Sequence, residues 1–330
     1  MSPNRKVRVP LFSPDSLAVK LESLLVRDLT RGNSDTQCTE FDRRTQQGAF
    51  RKKFVQTTRE GTAETRRQAT FDKFTLTQDR LRPFNSLAFP NPGSRPTGHH
   101  QDSIHDALVR ARSLAHQILG PFSTDRWFEL CKHGPNSSLG VPFRDSGNSA
   151  KWRVPITCTE DCAGVLDVYL SWDHTLREMI QRVNPSLPAV KSWHMIKQVS
   201  GSRLTTVPKD TSIDRTIAVE PTANMFFQQG LGHYLYERLA DLPGLDIEGL
   251  QQHKHRHLAR ISSITQSNAT IDWSMASDCV SQSLVKFLLP PDWFYVCDRV
   301  RSKTVEINGV DIEPACLSQW GMLLPLVSRP

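Results

Sequence analysis

Helix-patterned and strand-patterned stretches interleave along this chain without a regular βαβ rhythm. That irregularity argues for an α+β fold and against a doubly wound parallel sheet. Pro14 to Arg31 reads as a helix, with Ser13 as a candidate cap and Leu17, Val19, Leu21, Leu24, Leu25 and Leu29 on its apolar face. Residues 33–102 are polar and end in a Pro/Gly-rich loop from Phe89 to Gly98. Ser103 to Leu119 is a second helix, with Ser103 and Asp106 in a capping-box-like start and Gly120-Pro121 ending it. From Trp152 to Trp172 the alternation is strand-like, interrupted at Glu160-Asp161. Asp173 to Val183 and Asn224 to Leu242 follow as helices, the second weakened by Gly230 and Gly232. Thr216 to Val219 and Ala269 to Asp272 are short strands, and Cys279 to Leu289 is a helix stopped by Pro290-Pro291. No internal repeat is visible.

A chain of 330 residues, 38% hydrophobic, can bury one large core or two ordinary ones. Its 41 Lys and Arg exceed 34 Asp and Glu, giving a net charge of +7. Part of the excess is local: Arg51, Lys52, Lys53, Arg59, Arg66, Arg67, Lys73, Arg80 and Arg82 face only Glu60, Glu64, Asp72 and Asp79. Such a stretch suits a polyanion, although a solvated helical face looks the same in sequence. Seven scattered cysteines give no disulfide framework and point to a reducing cytosol. Cys158 and Cys162 lack a partner pair at zinc spacing and read as buried thiols. His253, His255 and His257 would share a face on a strand, but their basic setting favours a solvated or phosphate-facing stretch over a metal site. No apolar run reaches the roughly 18–20 residues that span a bilayer, and the N-terminus has no secretory pattern. The expectation is a soluble, cytoplasmic protein.

Two segments carry chemistry. In Ala269-Thr-Ile-Asp-Trp-Ser-Met-Ala-Ser-Asp278, an apolar strand delivers Asp272 to its end and Asp278 follows where a helix begins. A strand-end carboxylate is a rigid hard-oxygen ligand for a divalent cation. On spacing alone, Asp278 as a helix cap and Asp272 as a turn residue is the better account of the pair. In Val207 to Pro221, Lys209 and Arg215 flank a polar turn. Paired cations there could grip a triphosphate or simply decorate a surface hairpin.

In order, VPK…DRTIAVEPTANMFFQQGLG and ATIDWSMASDCVSQSLVKFLLPPDWF resemble the replicase β subunit of the leviviruses, the small RNA phages that include Qβ. His133 to Thr159 is similar to that family's fingers region, and the likeness runs over roughly residues 103 to 315. It implies an RNA-directed RNA polymerase of the right-hand type, here as fingers plus partial palm with the thumb absent. The implied division is a basic N-terminal region (1–102), fingers (103–260), partial palm (261–316) and a tail (317–330). Asp272 matches the first metal-binding aspartate, Asp278 the residue near the incoming ribose, and Lys209 and Arg215 the triphosphate-contacting motif. Glu220 to Gln229 matches a family signature assigned to structural support of the nucleotide channel. The cofactor implied is Mg²⁺, two ions in the complete enzyme. The partners implied are template RNA, nucleoside triphosphates and the host elongation factors Tu and Ts with a ribosomal protein. The setting implied is the bacterial cytoplasm, with no membrane.

The family continues past the position of Glu313 into a Ser/Thr-rich loop and a Gly-Asp-Asp hairpin, whereas this chain reads Ala315-Cys-Leu-Ser-Gln-Trp and on to Pro330. Permitted codons from Cys316 onward, read from the third base, give Pro-Phe-Thr-Met-Gly-Asn-Ala-Phe-Thr, close to the family loop. The tail is therefore expected to be out of frame, and the chain as written catalytically inactive and poorly soluble. The competing expectations are a non-catalytic RNA-binding protein and an unrelated metal-dependent nuclease.

Overall fold

The computed structural model describes residues 61–91, 93–98, 103–134, 137–188, 190–209, 214–240, 250–267 and 275–317, with residues 20, 21, 23, 24, 27 and 47. The helix expected from Pro14 to Arg31 falls mostly outside these residues, and the strand expected from Ala269 to Asp272 wholly so. The chain divides into two compact units, residues 1–73 with 206–216 and residues 74–205 with 217–330.

The architecture mixes helices and short strands, as the irregular patterning requires. Helix α1 (Ala63–Leu81) is followed by α2 (Ser103–Leu119) and α3 (Thr124–Leu130). Strand β1 (Ile156–Cys158) leads into α4 (Glu160–Trp172) and α5 (His174–Val183). Next come β2 (Ile196–Gln198), β3 (Ser202–Pro208), β4 (Asp214–Val219), α6 (Thr222–Ala240) and α7 (Leu250–Thr265). Helices α8 (Gln282–Leu288) and α9 (Pro291–Val300) precede the hairpin β5 (Val305–Ile307) and β6 (Val310–Ile312). One sheet pairs β1 and β2 in parallel, with Ile156 opposite Ile196. The other has the order β4-β3-β5-β6, with Ser202 opposite Val305 in a parallel pairing. Asn308 and Gly309, both at positive φ, make the tight turn between β5 and β6.

Three expectations change. The strand pattern from Trp152 to Trp172 is confined to β1, because Cys162, Leu166, Tyr169 and Leu170 recur at helical spacing and are buried along one face of α4. Glu160 and Asp161, which looked like an interruption, sit in that helix's first turn, where carboxylates suit the dipole. The polar stretch 33–102 contains α1. Helix α8 starts at Gln282 and not at Cys279, because the Ser281 hydroxyl accepts from Leu284 N at 3.2 Å and caps it there. Pro290 and Pro291 do end it, and Pro291 also opens α9 at its first turn, where proline is tolerated.

The larger core surrounds α6, whose Ala223, Phe226, Phe227, Leu231, Tyr234 and Leu235 are buried. Gly230 explains itself by contact: a Cβ there would lie 2.5 Å from Cys131 Sγ and 2.8 Å from Cys131 Cα, so α3 and α6 can approach only over a bare backbone. Trp127 Nε1 donates to the Phe227 carbonyl at 3.2 Å across the same contact. Trp293, fully buried, packs edge-on against Phe122 with ring centroids 4.9 Å apart and donates to Gly120 O at 2.9 Å. Arg238 Nε closes the end of α2 by donating to Ile118 O and Leu119 O.

Candidate functional site

Lys209 and Arg215 belong to the neighbouring strands β3 and β4 or their ends, and residues 210–213, where the polar turn was expected, lie outside the described residues. Lys209 is exposed just past β3, and Arg215 is half-buried as the second residue of β4. The first unit braces this element through Asp214. Thr70 of α1 donates to the Asp214 carbonyl and Thr206 to its carboxylate, both at 3.4 Å, and Arg66 Nε lies 4.0 Å from Asp214 Oδ1.

Asp278 belongs to the second unit, on a 3-10 turn (Ala276–Cys279) entered through Met275 in the left-handed region at φ 59°. It does not cap a helix, as Ser281 has that role. Its side chain is 2% exposed and is held by Ser277 Oγ at 3.4 Å. Burial pushes its carboxyl up to about 6. The backbone here is fixed by Gln78, 1% exposed, whose amide donates to the Asp278 carbonyl at 3.3 Å. The Gln78 oxygen accepts from Ala315 N at 2.9 Å and Cys316 N at 3.1 Å. Asn85 adds a second clip, donating to Ala315 O and accepting from Ser283 N. Leu317, at the head of the expected out-of-frame tail, is itself buried and donates to the Val280 carbonyl at 3.3 Å. Asp272 lies outside the described residues.

The segment from Glu220 to Gln229 runs from the end of β4 into α6, and its polar side chains tie other segments together. Asn224 accepts from Thr159 N at 3.0 Å and donates to Thr159 Oγ1 and Val300 O. Gln228 donates to Val300 O at 2.9 Å and to the Glu220 carboxylate at 3.2 Å. Thr222 N donates to Thr157 Oγ1 at 2.9 Å. Glu220 is 6% exposed, and burial raises its carboxyl to about 7 against the Ser302 and Gln228 hydrogen bonds and nearby Arg301.

Sequence reasoning passed over this carboxylate. The one local signal was a lone acid between Val219 and Pro221 at the head of an apolar helix. It also passed over His133 and Lys151. Lys151 is fully buried, donates to the Gly134 carbonyl and is shifted down by burial. His133, between Trp152 and Phe226 with ring centroids 5.0 Å away on each side, is pushed down to about 3 by burial and by Lys151. Asp106 does not form the expected cap with Ser103. Its carboxylate accepts from Thr97 N at 2.7 Å and Gly98 N at 2.8 Å, holding the preceding loop on α2.

His253, His255 and His257 are exposed on α7, not aligned on a strand, so only His253 and His257 share a face. Among the described residues no group of three His, Cys, Asp or Glu side chains could hold a metal ion. Asp278, buried and bonded to its neighbour Ser277, does not by itself fit a pair of Mg²⁺ ions. Among the described residues Cys131, Cys158, Cys162, Cys279, Cys297 and Cys316 are free thiols. No described helix is long and apolar enough to cross a membrane.

A mixed helix-and-strand protein with a clamped Asp278 segment is the class that fold and site define. The model of the family "RNA replicase, beta-chain" matches residues 6–321, and the chain belongs to that family. It is 38% identical over 214 residues to the RNA-directed RNA polymerase beta chain of Escherichia phage MS2, covering 64% of this chain and 36% of the relative. It is 31% identical over 215 residues to the corresponding chain of Enterobacteria phage GA, covering 65% and 38%. With the RNA-directed RNA polymerase subunit beta of Escherichia virus Qbeta the identity is 44% over 101 residues, or 31% and 17% of the two chains. The matched region thus spans less than two-fifths of each of these relatives.

Proposed function

We propose that this chain is the fingers and partial palm of an RNA-directed RNA polymerase that copies a single-stranded RNA phage genome in the bacterial cytoplasm. The observation that carries the reading is the family match over residues 6–321, one continuous run holding Lys209, Arg215, Asp272 and Asp278. In this reading residues 1–102 form a basic N-terminal region, 103–260 the fingers, 261–316 the partial palm and 317–330 an out-of-frame tail. Lys209 and Arg215 grip the triphosphate of an incoming nucleotide from the β3–β4 turn. Asp278 faces its ribose, and Asp272 is both the catalytic carboxylate and the residue that would hold Mg²⁺. The Glu220–Gln229 knot keeps the nucleotide channel in shape. Bound Mg²⁺ would supply charge neutralisation at the transferring phosphate. Asp272 alone does not hold the two ions that chemistry needs, so further carboxylates would have to complete the metal site. Template RNA and nucleoside triphosphates are the substrates, and elongation factors Tu and Ts with a ribosomal protein are the host partners.

The test compares this chain with one whose frame is restored beyond Cys316, using a primed RNA template. The restored chain is expected to add nucleotides in a Mg²⁺-dependent way, with Asp272→Asn lowering the rate by about 10³-fold or more. Undiminished extension by Asp272→Asn would overturn the assignment. Shortening of the RNA would identify a nuclease instead.

A further inference from the structure

Two clefts open side by side on the second unit, and Arg112 is in the wall of both. The first, about 620 Å³, lies between the 91–96 loop, α2 and Phe287. The second, about 520 Å³, lies between Arg112, the end of α8 and the outer side of α9. Consecutive residues of α8 serve the two, Phe287 the first and Lys286 the second.

The first cleft is one-sided in charge: Arg95, Arg110 and Arg112 line it, and none of the described residues lining it is a carboxylate. Arg95 and Arg110 are exposed. Arg112 donates its Nε to the Phe287 carbonyl at 2.8 Å and lies over the Phe287 ring at 5.5 Å, which leaves its outer fork for a ligand. In the second cleft the acids are already engaged. Asp161 pairs with Arg299 at 3.1 Å and Lys303 at 2.7 Å, and Asp298 pairs with Arg301 at 2.7 Å. What that cleft presents outward is the ring of Tyr295, 59% exposed, with the Arg299 guanidinium 5.2 Å from its centroid.

Cations along a groove with an exposed aromatic ring, one face of which already carries Arg299, suit one class of ligand. A single-stranded nucleic acid offers phosphates to the arginines and unpaired bases to the ring. The wall is formed in advance, because the two hydrogen bonds from Thr97 and Gly98 to Asp106 fix the loop that carries Arg95. We propose that the two clefts form one trough for single-stranded RNA, in which Arg95, Arg110 and Arg112 hold the backbone and Tyr295 stacks a base. The inference rests on the replicase reading only for choosing RNA over other polyanions.

The experiment uses the whole 330-residue chain without nucleotides or metal, and two fluorescein-labelled probes: a U10 oligoribonucleotide and an abasic ribose-phosphate decamer of equal charge. The double variant Arg95→Ala/Arg110→Ala should weaken binding of both probes at least about 5-fold and lower the salt slope by about 1.4, about 0.7 per lost phosphate contact. Tyr295→Ala should weaken U10 by about 5- to 100-fold while leaving the abasic decamer within about two-fold. All three side chains are exposed, so a thermal melt matching the parent separates lost binding from lost fold. The trough is overturned if the parent does not bind U10, or if the double variant binds it as the parent does. It is also overturned if Tyr295→Ala weakens both probes equally. Loss of adhesion to anionic lipid vesicles with U10 binding intact would move the surface to a membrane and overturn it too. Because no synthesis is read, a chain that binds U10 here yet incorporates nothing after frame restoration sinks the polymerase reading alone.

Discussion

The hydroxyl of Ser302 donates to the buried carboxylate of Glu220 at 2.6 Å, joining the segment after α9 to a residue two positions before α6. Only one other side chain, Gln228, is hydrogen-bonded to that carboxylate among the described residues. Two neutral donors do not offset the loss of water around a charge, which is why Glu220 titrates near 7.

Stability should therefore depend on pH with a definite sign. The folded carboxyl holds its proton to about 7, against an ordinary value of 4.5, so folding takes up a proton between those values. Stability from this group is full below about 4.5 and falls as pH rises to about 7, by on the order of 3 kcal/mol. Glu220→Gln should flatten that fall. Urea unfolding at pH 5 and pH 8 checks it, and an unchanged difference between the two pH values would refute the assignment.

Gln78→Ala removes the partner of three backbone groups at once, the Asp278 carbonyl and the amides of Ala315 and Cys316. The expected loss is about 2–4 kcal/mol, because buried groups left unpaired keep their desolvation cost. Hydrogen exchange should show it first as loss of protection at Ala315 and Cys316. A variant that leaves both amides as slow as in the parent would contradict the clamp.

Gly230→Ala sets helix propensity against packing. Alanine should add about 1 kcal/mol to an isolated helix. In α6 its Cβ meets both the thiol and the backbone of Cys131, so a net loss of about 1–3 kcal/mol is expected from overpacking. Adding Cys131→Ala should not restore stability fully, since the Cα at 2.8 Å and the N at 2.9 Å remain. Denaturant midpoints of the single and double variants decide it.

Asp106 behaves in the opposite sense to Glu220. The Thr97 and Gly98 amides, more than anything else, hold its carboxyl down at about 2. Its contribution is present above about 3.8 and is lost as pH falls through about 2. Asp106→Asn should speed amide exchange at Thr97 and Gly98 at neutral pH, and unchanged rates would show that the loop is held by something else.

Some of this architecture was open to a reader of residues, and the reasons for the rest are local. Helix α2 was legible end to end because its apolar positions and its Gly-Pro stop agree. Helix α1 was hidden because its inward face is not apolar: Arg66, Thr70, Phe71, Phe74, Gln78 and Leu81 are the buried positions. They follow the helical period, but half of them are polar. Helix α4 was misread because its valines and aromatic residues fit a two-residue alternation as well as a helical stripe. At the candidate site, family-like words supplied Lys209, Arg215, Asp272 and Asp278 by position. The supporting contacts were not foreseen, because Gln78, Thr159 and Val300 meet their partners only through long-range packing.

The Gln78 clamp also carries a consequence for the order of events during synthesis. Its amide and the Cys316 nitrogen it accepts from are separated by 238 residues in the chain. At about 5–20 residues per second, a nascent chain carries Gln78 for on the order of ten to fifty seconds before that partner exists. The segment bearing Asp278 is made within that interval and cannot be pinned until the last of it arrives. A released chain ending short of residue 315 should therefore expose this region to proteases more than the full 330-residue chain does.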